Sequence, residues 1–336
     1  MLTVKTLNKY DPDGMYKIYD TWPKISYDSY INTKNHFDFK NIEKIVFAGM
    51  GGSGVVGEFM SSVLSNSKIS TSVVKGYMLP RSVNKNTLVV TTSISGSTAE
   101  TLVILDRAFK LGCKVIAFSS GGKMENYCIK KNLPYQKILQ IHSPRASLPS
   151  AIYSMLAVLE PVISVKKSDI RESINLLHQT GKKINSDNLS NSNPALLLAS
   201  WIKTIPIIYY SYDLHSAAVR FKNSLQENSK IHVISEDVTE MCHNGIVSWE
   251  KPSQVQPILI HGSDDYIKTK KIWKILKKYF KLHNIDFREV NSVKGSILSK
   301  IINLIYVLDY ATIYHAVLNK TNPSPISSID YMKARL

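Results

Sequence analysis

The chain has 336 residues, of which 44% are hydrophobic and 20% charged, values typical of a soluble globular protein long enough for two domains. Lys and Arg total 42 against 26 Asp and Glu. The resulting net charge of +16 indicates an anionic partner, which could be nucleic acid, a membrane surface or a phosphorylated small molecule. Because the charge is spread over both halves, the composition argues against a basic tail or arm.

The cysteines and the apolar segments further limit the class of protein. The three cysteines, Cys113, Cys128 and Cys242, form no CxxC pair, which is typical of a reducing compartment. The N-terminus lacks the long apolar segment of a secretory signal. The longest apolar stretch, residues 301–318, is interrupted by polar residues and predicts a core helix, not a membrane span. We therefore expect a soluble, cytoplasmic protein.

Apolar runs of strand length alternate with helical periodicity through the first half. Strands are predicted at residues 45–48, 69–74, 87–92, 114–118 and 136–141. Helices are predicted at 55–64 and 99–111. Repeated strand–helix units of this length predict a parallel sheet covered by helices on both faces.

The second half repeats this rhythm after a helical connection over residues 151–195. Strands are predicted at 206–210, 230–234, 257–261 and 285–290, and helices at 213–227, 265–283 and 296–318. The basic amphipathic stretch 266–282 could be a membrane-surface helix, but its flanking strands favour the outer helix of a sheet. We predict an α/β protein with two three-layer αβα halves, each with a mostly parallel sheet, over residues 1–153 and 154–336.

A glycine cluster at residues 49–54 directly follows the first strand and contains the pattern G-x-G-x-x-G. A dinucleotide site of this kind expects an acidic residue at the end of the second strand. That strand instead runs into Lys75 without an Asp or Glu, which disfavours the dinucleotide interpretation. A tight turn that needs glycine only for chain geometry remains an alternative. The favoured interpretation is a loop that brings an anionic ligand to a helix N-terminus.

A hydroxyl-rich loop follows the third strand. Four hydroxyl side chains lie within six residues, namely Ser93, Ser95, Ser97 and Thr98. One hydroxyl is enough to cap a helix, so four favour phosphate binding over capping alone. The loop has no GK[ST] element, which argues against nucleotide triphosphate hydrolysis.

Together the two loops resemble the sugar isomerase (SIS) domain, which binds phosphosugars. Four further segments narrow the resemblance to the bifunctional phosphoglucose/phosphomannose isomerases of the archaeal and bacterial type. These segments lie at residues 144–149, 220–230, 241–250 and 323–333. The resemblance covers most of the chain, from about residue 40 to the end.

The resemblance implies an aldose–ketose isomerase that converts glucose 6-phosphate and mannose 6-phosphate to fructose 6-phosphate through an enediol, without metal or cofactor. Its implied phosphate-binding residues are Gly52, Ser53, Ser93, Ser95 and Thr98. Its implied catalytic residues are Glu227, His243, Arg145 and Lys333. It also implies a homodimer in which His243 comes from the neighbouring subunit, with no nucleic-acid or membrane partner.

The implied roles agree with the chemistry of the residue types. A carboxylate such as Glu227 can shuttle a proton between C2 and C1, and an imidazole such as that of His243 can both donate and accept protons and so assist ring opening. The positive charge of Arg145 can stabilise the developing oxyanion. Without the resemblance, Glu227 and His243 would be interpreted as a surface charge and an incidental loop histidine.

Three positions depart from the family pattern. Ile94 and Ser97 replace the tyrosine and asparagine of the phosphate loop, and Gly245 replaces an acidic residue after the His-Asn pair. The alternatives left open are a non-catalytic phosphosugar-sensing SIS regulator and another SIS sugar-phosphate isomerase. Residues 1–40 carry no prediction of function.

Overall fold

A computed structural model describes residues 2–35 and 37–335. These residues divide into two units. The five-stranded unit contains residues 21–175 and 295–299, and the four-stranded unit contains 2–20, 176–294 and 300–335. These bounds differ from the predicted halves 1–153 and 154–336, because residue 153 lies within a helix and residues 2–20 pack with the C-terminal part. The division at residue 153 stays a prediction.

The five-stranded unit is built on one parallel sheet. Its strands are β1 (Lys44–Ala48), β2 (Ser70–Val74), β3 (Thr87–Thr92), β4 (Lys114–Ser119) and β5 (Tyr135–Lys137), in the order β2-β1-β3-β4-β5. The predicted strands are confirmed, except that β5 begins one residue earlier and ends at Lys137 instead of residue 141.

The four-stranded unit contains a second parallel sheet. Its strands are β6 (Ile205–Tyr210), β7 (Ile234–Asp237), β8 (Val255–His261) and β9 (Arg288–Asn291), in the order β7-β6-β8-β9. This order repeats that of β2-β1-β3-β4, so the predicted pair of parallel α/β sheets is confirmed. The expected strand at 230–234 is wrong. Lys230 adopts a left-handed conformation that ends the preceding helix, and the chain pairs with β6 only from Ile234.

Helices flank both sheets. They are α1 (Val4–Tyr10), α2 (Met15–Asp20), α3 (Trp22–Asn32), α4 (Gly51–Val63), α5 (Ala99–Lys110), α6 (Gly122–Lys131), α7 (Leu148–Leu159), α8 (Lys167–Ile184), α9 (Pro194–Trp201), α10 (His215–Ser224), α11 (Val238–Met241), α12 (Ile267–Leu282), α13 (Ile297–Leu318) and α14 (Ser327–Lys333). Short 3₁₀ helices cover Tyr212–Leu214 and Gly245–Glu250, and a π-helix covers Leu225–Ser229.

Helix α4 begins earlier than the sequence pattern predicts. We expected a loop through the glycine cluster and a helix from residue 55, but the helix starts at Gly51. The glycines allow this because a Cβ at Gly54 would lie 2.9 Å from the carbonyl oxygen of Gly49. Gly57 on the same helix also lies close to the sheet, since a Cβ there would be 2.9 Å from the Cβ of Phe47 on β1. The glycine cluster is therefore both the turn and the first helical turn, packed close against the sheet.

Helices α12 and α13 both bury apolar side chains in the interior of the protein. Helix α12 buries Trp273, Leu276 and Phe280 against the second sheet, which confirms that it is an outer helix of that sheet. Helix α13 is long and apolar enough to cross a membrane by length and composition alone, but 89% of its most apolar window is buried inside the structure. The prediction of a buried helix at 301–318 is confirmed.

The N-terminal segment, which carries no sequence-based prediction of function, is held in place by buried tyrosines. The hydroxyls of Tyr306 and Tyr310 on α13 donate to the carbonyl oxygens of Tyr19 and Tyr16 on α2, at 2.8 and 3.3 Å. Tyr19 and Tyr310 also meet edge to face, with ring centroids 6.0 Å apart. These contacts explain why residues 2–20 belong to the four-stranded unit.

Candidate functional site

The glycine loop and the hydroxyl loop meet at the point where the strand order of the first sheet reverses. They follow β1 and β3, which are hydrogen-bonded neighbours, whereas β2 lies on the other side of β1. Open parallel sheets bind ligands at such a switch point, beyond the carboxyl ends of the strands. The Ile94 backbone N–H donates to Ser53 Oγ at 3.2 Å and joins the two loops directly.

The hydroxyl loop is a tight turn with little room to move. The Ser93 and Thr98 hydroxyls are 2.9 Å apart, and the Gly96 N–H donates to the Ser93 carbonyl oxygen at 2.8 Å. Gly96 has a φ of +68°, and a Cβ there would overlap the carbonyl oxygen of Gly121. Only glycine fits this position, so the loop geometry is set by Gly96.

Helix capping does not account for the Thr98 hydroxyl of this loop. Thr98 is the N-cap residue of α5, yet its side chain makes no capping hydrogen bond to that helix. Its hydroxyl contacts Ser93 instead. The Ser93 Oγ in turn accepts from the Thr98 backbone N–H at 3.4 Å. For Thr98 this geometry disfavours capping, and the first N–H groups of a helix have no partner within it and suit an anion.

The five predicted phosphate-binding residues differ in exposure. Ser95 is exposed and Gly52 and Thr98 are half-buried, whereas Ser53 and Ser93 are buried within the two loops. A hydroxyl that accepts one hydrogen bond keeps its own hydrogen to donate, so Ser53 can bind both Ile94 and an anion. The Ile94 side chain itself is 1% exposed and lies in the core, so this departure from the family pattern replaces a polar group with packing.

Arg145 lies in the same five-stranded unit and is 3% exposed, so its side chain is buried and not on the surface. Its loop is fixed by the Ser147 hydroxyl, which donates to the Ser143 carbonyl oxygen at 2.8 Å, and by Trp22, whose indole N–H donates to the Ala146 carbonyl oxygen at 3.0 Å. A buried guanidinium on a fixed loop is a pre-positioned positive charge.

Glu227 lies in the four-stranded unit on the π-helix Leu225–Ser229, which continues α10. Single π-turns are often found at functional sites, because the wider turn redirects side chains. The Glu227 side chain is half-buried, whereas its neighbours Asn228 and Ser229 are buried. Asn228 and Ser229 anchor this turn to α13 through hydrogen bonds to Thr312.

Lys230 joins the Glu227 turn to the C-terminal tail. Its ammonium group donates to the carbonyl oxygen of Glu227 and, at 2.6 Å, to that of Pro325. The structure thus brings together two of the segments on which the family resemblance rests. Lys333 follows on α14 and is exposed, and no residue of α14 is buried.

His243 is exposed in the turn after α11, and in the part of the chain that the structure describes its side chain makes no hydrogen bond. The nearby Gly245 departs from the family pattern, but a carboxylate is present. A Cβ at Gly245 would lie 2.5 and 2.9 Å from the carboxylate oxygens of Glu236 on β7. Burial, together with Glu240 and Asp237, raises the pKa of Glu236. Sequence spacing could not identify Glu236, because it comes from another element.

The switch point of the second sheet is closed by a protein carboxylate. Asp265 Oδ1 accepts from the Ser211 hydroxyl at 2.9 Å and the Gly262 N–H at 3.1 Å, and Oδ2 accepts from the Trp273 indole at 2.9 Å. The donors of Ser211, Gly262 and Trp273 are therefore already used, which distinguishes this switch point from that of the first sheet. Within residues 2–35 and 37–335, no group of three or more His, Cys, Asp or Glu side chains is placed to hold a metal.

Comparisons with known proteins place this geometry in context. Residues 191–336 match the model of the bacterial phospho-glucose isomerase C-terminal SIS domain. A bifunctional phosphoglucose/phosphomannose isomerase from Caldicellulosiruptor bescii is 30% identical over 339 residues, covering 97% of this chain and 96% of that protein. A D-glucosamine-6-phosphate 4-epimerase from Sulfolobus acidocaldarius is 29% identical, over 73% of this chain and 77% of that protein.

Comparison with solved structures agrees with the comparison of sequences. The crystal structure of tagatose-6-phosphate ketose/aldose isomerase from Escherichia coli superposes with a TM-score of 0.71 at 13% identity, covering 92% of this chain and 94% of that one. At this identity the match shows a shared fold, and it confirms the predicted two-sheet α/β architecture.

Proposed function

Because the chain belongs to the bifunctional phosphoglucose/phosphomannose isomerase family, we propose that it interconverts glucose 6-phosphate and mannose 6-phosphate with fructose 6-phosphate. The observation that carries the proposal is the 30% identity over nearly the full length of a relative with this activity in its name. The joined glycine and hydroxyl loops support it, because they offer hydroxyl and N–H donors suited to a phosphate.

We assign the roles by chemistry. The donors of Gly52, Ser53, Ser93, Ser95 and Thr98 hold the phosphate, so that its binding energy positions carbons that are remote from it. Glu227 takes the proton from C2 of the open-chain aldose while O1 gains a proton, which gives the enediol. It then returns the proton to C1 as O2 loses its own proton, which yields the ketose. Arg145 stabilises the oxyanion of that intermediate, His243 moves protons during ring opening, and Lys333 assists at the substrate.

The surroundings of Glu227 and Arg145 support these assignments. Glu227 is half-buried on a turn whose next two residues are buried, so its position is fixed while its carboxylate keeps partial access. Arg145 is 3% exposed on a loop fixed by Trp22 and Ser147, as a pre-positioned charge requires. Both are features of side chains placed for chemistry.

We also propose a homodimer in which His243 acts in the neighbouring subunit's site. The exposed His243 side chain supports this. Mixing Glu227→Gln with His243→Ala tests it, because a mixed dimer then contains one site with both groups intact. Random exchange restores roughly a quarter of wild-type activity. If both groups serve the site of their own chain, the mixture stays inactive. A cytoplasmic location is part of the same proposal.

A second candidate is favoured by the similarity to a glucosamine-6-phosphate 4-epimerase. The chain is 29% identical to that relative, close to its identity to the bifunctional isomerase. An epimerase of this kind inverts C4 and leaves the aldehyde at C1 in place, so its product from glucosamine 6-phosphate is galactosamine 6-phosphate. A non-catalytic sensor would bind phosphosugars without forming any product.

One substrate panel separates these functions. Purified protein is incubated with glucose 6-phosphate, mannose 6-phosphate or glucosamine 6-phosphate, and products are resolved by chromatography. We expect fructose 6-phosphate from the first two sugars and no galactosamine 6-phosphate from the third. The Glu227→Gln variant should lose nearly all turnover but still bind fructose 6-phosphate in calorimetry. No fructose 6-phosphate from either aldose contradicts the proposal.

A further inference from the structure

We propose that Thr312 on α13 is a positioning residue for Glu227, holding the π-turn that carries this side chain. The inference rests on the proposed function, in which Glu227 is the base. Thr312 belongs to the four-stranded unit and lies outside all the motifs described in the sequence analysis.

Two consecutive residues after Glu227 are bound to Thr312. The Asn228 side-chain NH₂ donates to Thr312 Oγ1 at 2.7 Å, and the Ser229 hydroxyl donates to the Thr312 carbonyl oxygen at 2.9 Å. The Thr312 hydroxyl in turn donates to the Asp309 carbonyl oxygen at 2.7 Å, so it accepts from the π-turn and donates within its own helix. Both roles of the hydroxyl are used, and its rotation is fixed.

These contacts are removed from water. Asn228 and Thr312 are fully buried and Ser229 is 5% exposed. A buried amide and a buried hydroxyl in this arrangement have no competing water, so the hydrogen bonds define one geometry. Because Asn228 and Ser229 directly follow Glu227, their position sets the direction of the Glu227 side chain.

Helix α13 holds the same segment at a second point, one turn earlier. The Asp309 carboxylate accepts from the Ser224 hydroxyl at 2.7 Å and from Arg220 Nε at 2.8 Å. Residues three apart lie on one face of a helix, so Asp309 and Thr312 form a two-point anchor. The π-turn lies at the Thr312 end of this anchor, so of the two anchor residues Thr312 binds the chain positions nearer to Glu227.

The test compares Thr312→Val with Thr312→Ser and with a matched control. Valine keeps the shape and removes the hydroxyl, whereas serine keeps the hydroxyl. The control is Thr180→Val, because the Thr180 hydroxyl makes an equally short buried hydrogen bond of 2.7 Å to Asn303 on the same helix. Both valine variants should lower the unfolding temperature, but only one touches the π-turn.

We expect Thr312→Val to lower kcat about tenfold or more, because small misplacements of a reacting group have effects of this size. The KM for mannose 6-phosphate should change less than about twofold, since the phosphate grip is untouched. The deuterium isotope effect with C2-deuterated substrate should stay equal or rise, as proton transfer becomes slower. Thr312→Ser should restore most of kcat, and Thr180→Val should leave it near wild type.

The outcomes are distinguishable. If Thr312→Val and Thr180→Val have the same kcat at a temperature where both are folded, or if the serine variant is as slow as the valine variant, Thr312 does not position the base. If Thr312→Val does not fold, Ser229→Ala removes the second contact while leaving the Thr312 carbonyl in its helix. An unchanged kcat in Ser229→Ala then overturns the inference. An inactive wild-type protein overturns the proposed function itself, before any variant is compared.

Discussion

The buried ion pair between Arg220 and Asp309 gives the sharpest prediction about stability. Both side chains are at most 2% exposed, and their closest atoms, Arg220 Nη2 and Asp309 Oδ2, are 2.6 Å apart. Burial alone disfavours the charged guanidinium, but the attraction of Asp309 raises the pKa of Arg220, which is therefore charged in the folded protein. Asp309→Asn leaves that charge buried without its carboxylate.

The magnitude follows from the class of interaction. Removing one partner of a buried pair costs about 3–5 kcal/mol of the free energy of unfolding. With a urea m value of about 2 kcal/mol/M, the unfolding midpoint should fall by about 1.5–2.5 M. Tryptophan fluorescence reports this transition well, because Trp201, Trp249 and Trp273 lie in the four-stranded unit that holds the pair.

A matched control and a double replacement test the reasoning. Asp264→Asn makes the same chemical change in the same unit, but Asp264 is 69% exposed beside Lys300, so it should cost under about 1 kcal/mol. Replacing both partners by apolar residues, Arg220→Met with Asp309→Leu, should cost less than Asp309→Asn alone, because no charge is left buried. Equal midpoints for Asp309→Asn and Asp264→Asn refute the account, and so does a double variant less stable than the single one.

Two further predictions concern the phosphate loop and acid stability. Gly96→Ala should weaken fructose 6-phosphate binding at least tenfold in calorimetry, because the added Cβ overlaps the Gly121 carbonyl oxygen. Gly112 also has a positive φ but is surrounded by open space, so the control Gly112→Ala should leave binding unchanged. Equal affinities of the two variants for fructose 6-phosphate contradict this prediction. Burial lowers the pKa of His261 and of His315 from 6.5 to about 4, so the unfolded chain binds protons first as the pH falls. The contribution of these two histidines to the free energy of unfolding is therefore fully present above pH 6.5. It is lost as the pH falls from 6.5 to about 4, by up to about 3 kcal/mol for each residue. A wild-type urea midpoint that is the same at pH 7.5 and pH 4.5 contradicts this prediction.

The parallel sheets could be predicted from sequence because their central strands are continuous apolar runs. Residues 87–92 were predicted and observed as β3, and the glycine and hydroxyl loops were placed correctly at the ends of β1 and β3. Prediction was weaker at the edges. The polar strand β7 has only one neighbour, so its sequence lacks the apolar pattern and its register depends on where Lys230 ends the helix.

The candidate site was predictable only in part, for a similar reason. The motif positions predict roles for Glu227 and Arg145, but they do not predict that Arg145 is buried or that Glu227 lies on a π-turn. Trp22, which binds the loop of Arg145, and Thr312, which binds the π-turn, are 123 and 85 residues away in the chain from Arg145 and Glu227, and a single sequence carries no signal of such pairings. Glu236, which lies against Gly245, is a further example.

The most direct test of the proposed activity starts from the common product. Fructose 6-phosphate is incubated with wild-type protein and with Glu227→Gln, and the anomeric proton signals of the aldoses are followed by NMR. The account predicts that glucose 6-phosphate and mannose 6-phosphate both appear with wild type and that neither appears with the variant on the same timescale. Absence of both aldoses with wild type, or their formation at an unchanged rate with Glu227→Gln, would contradict it.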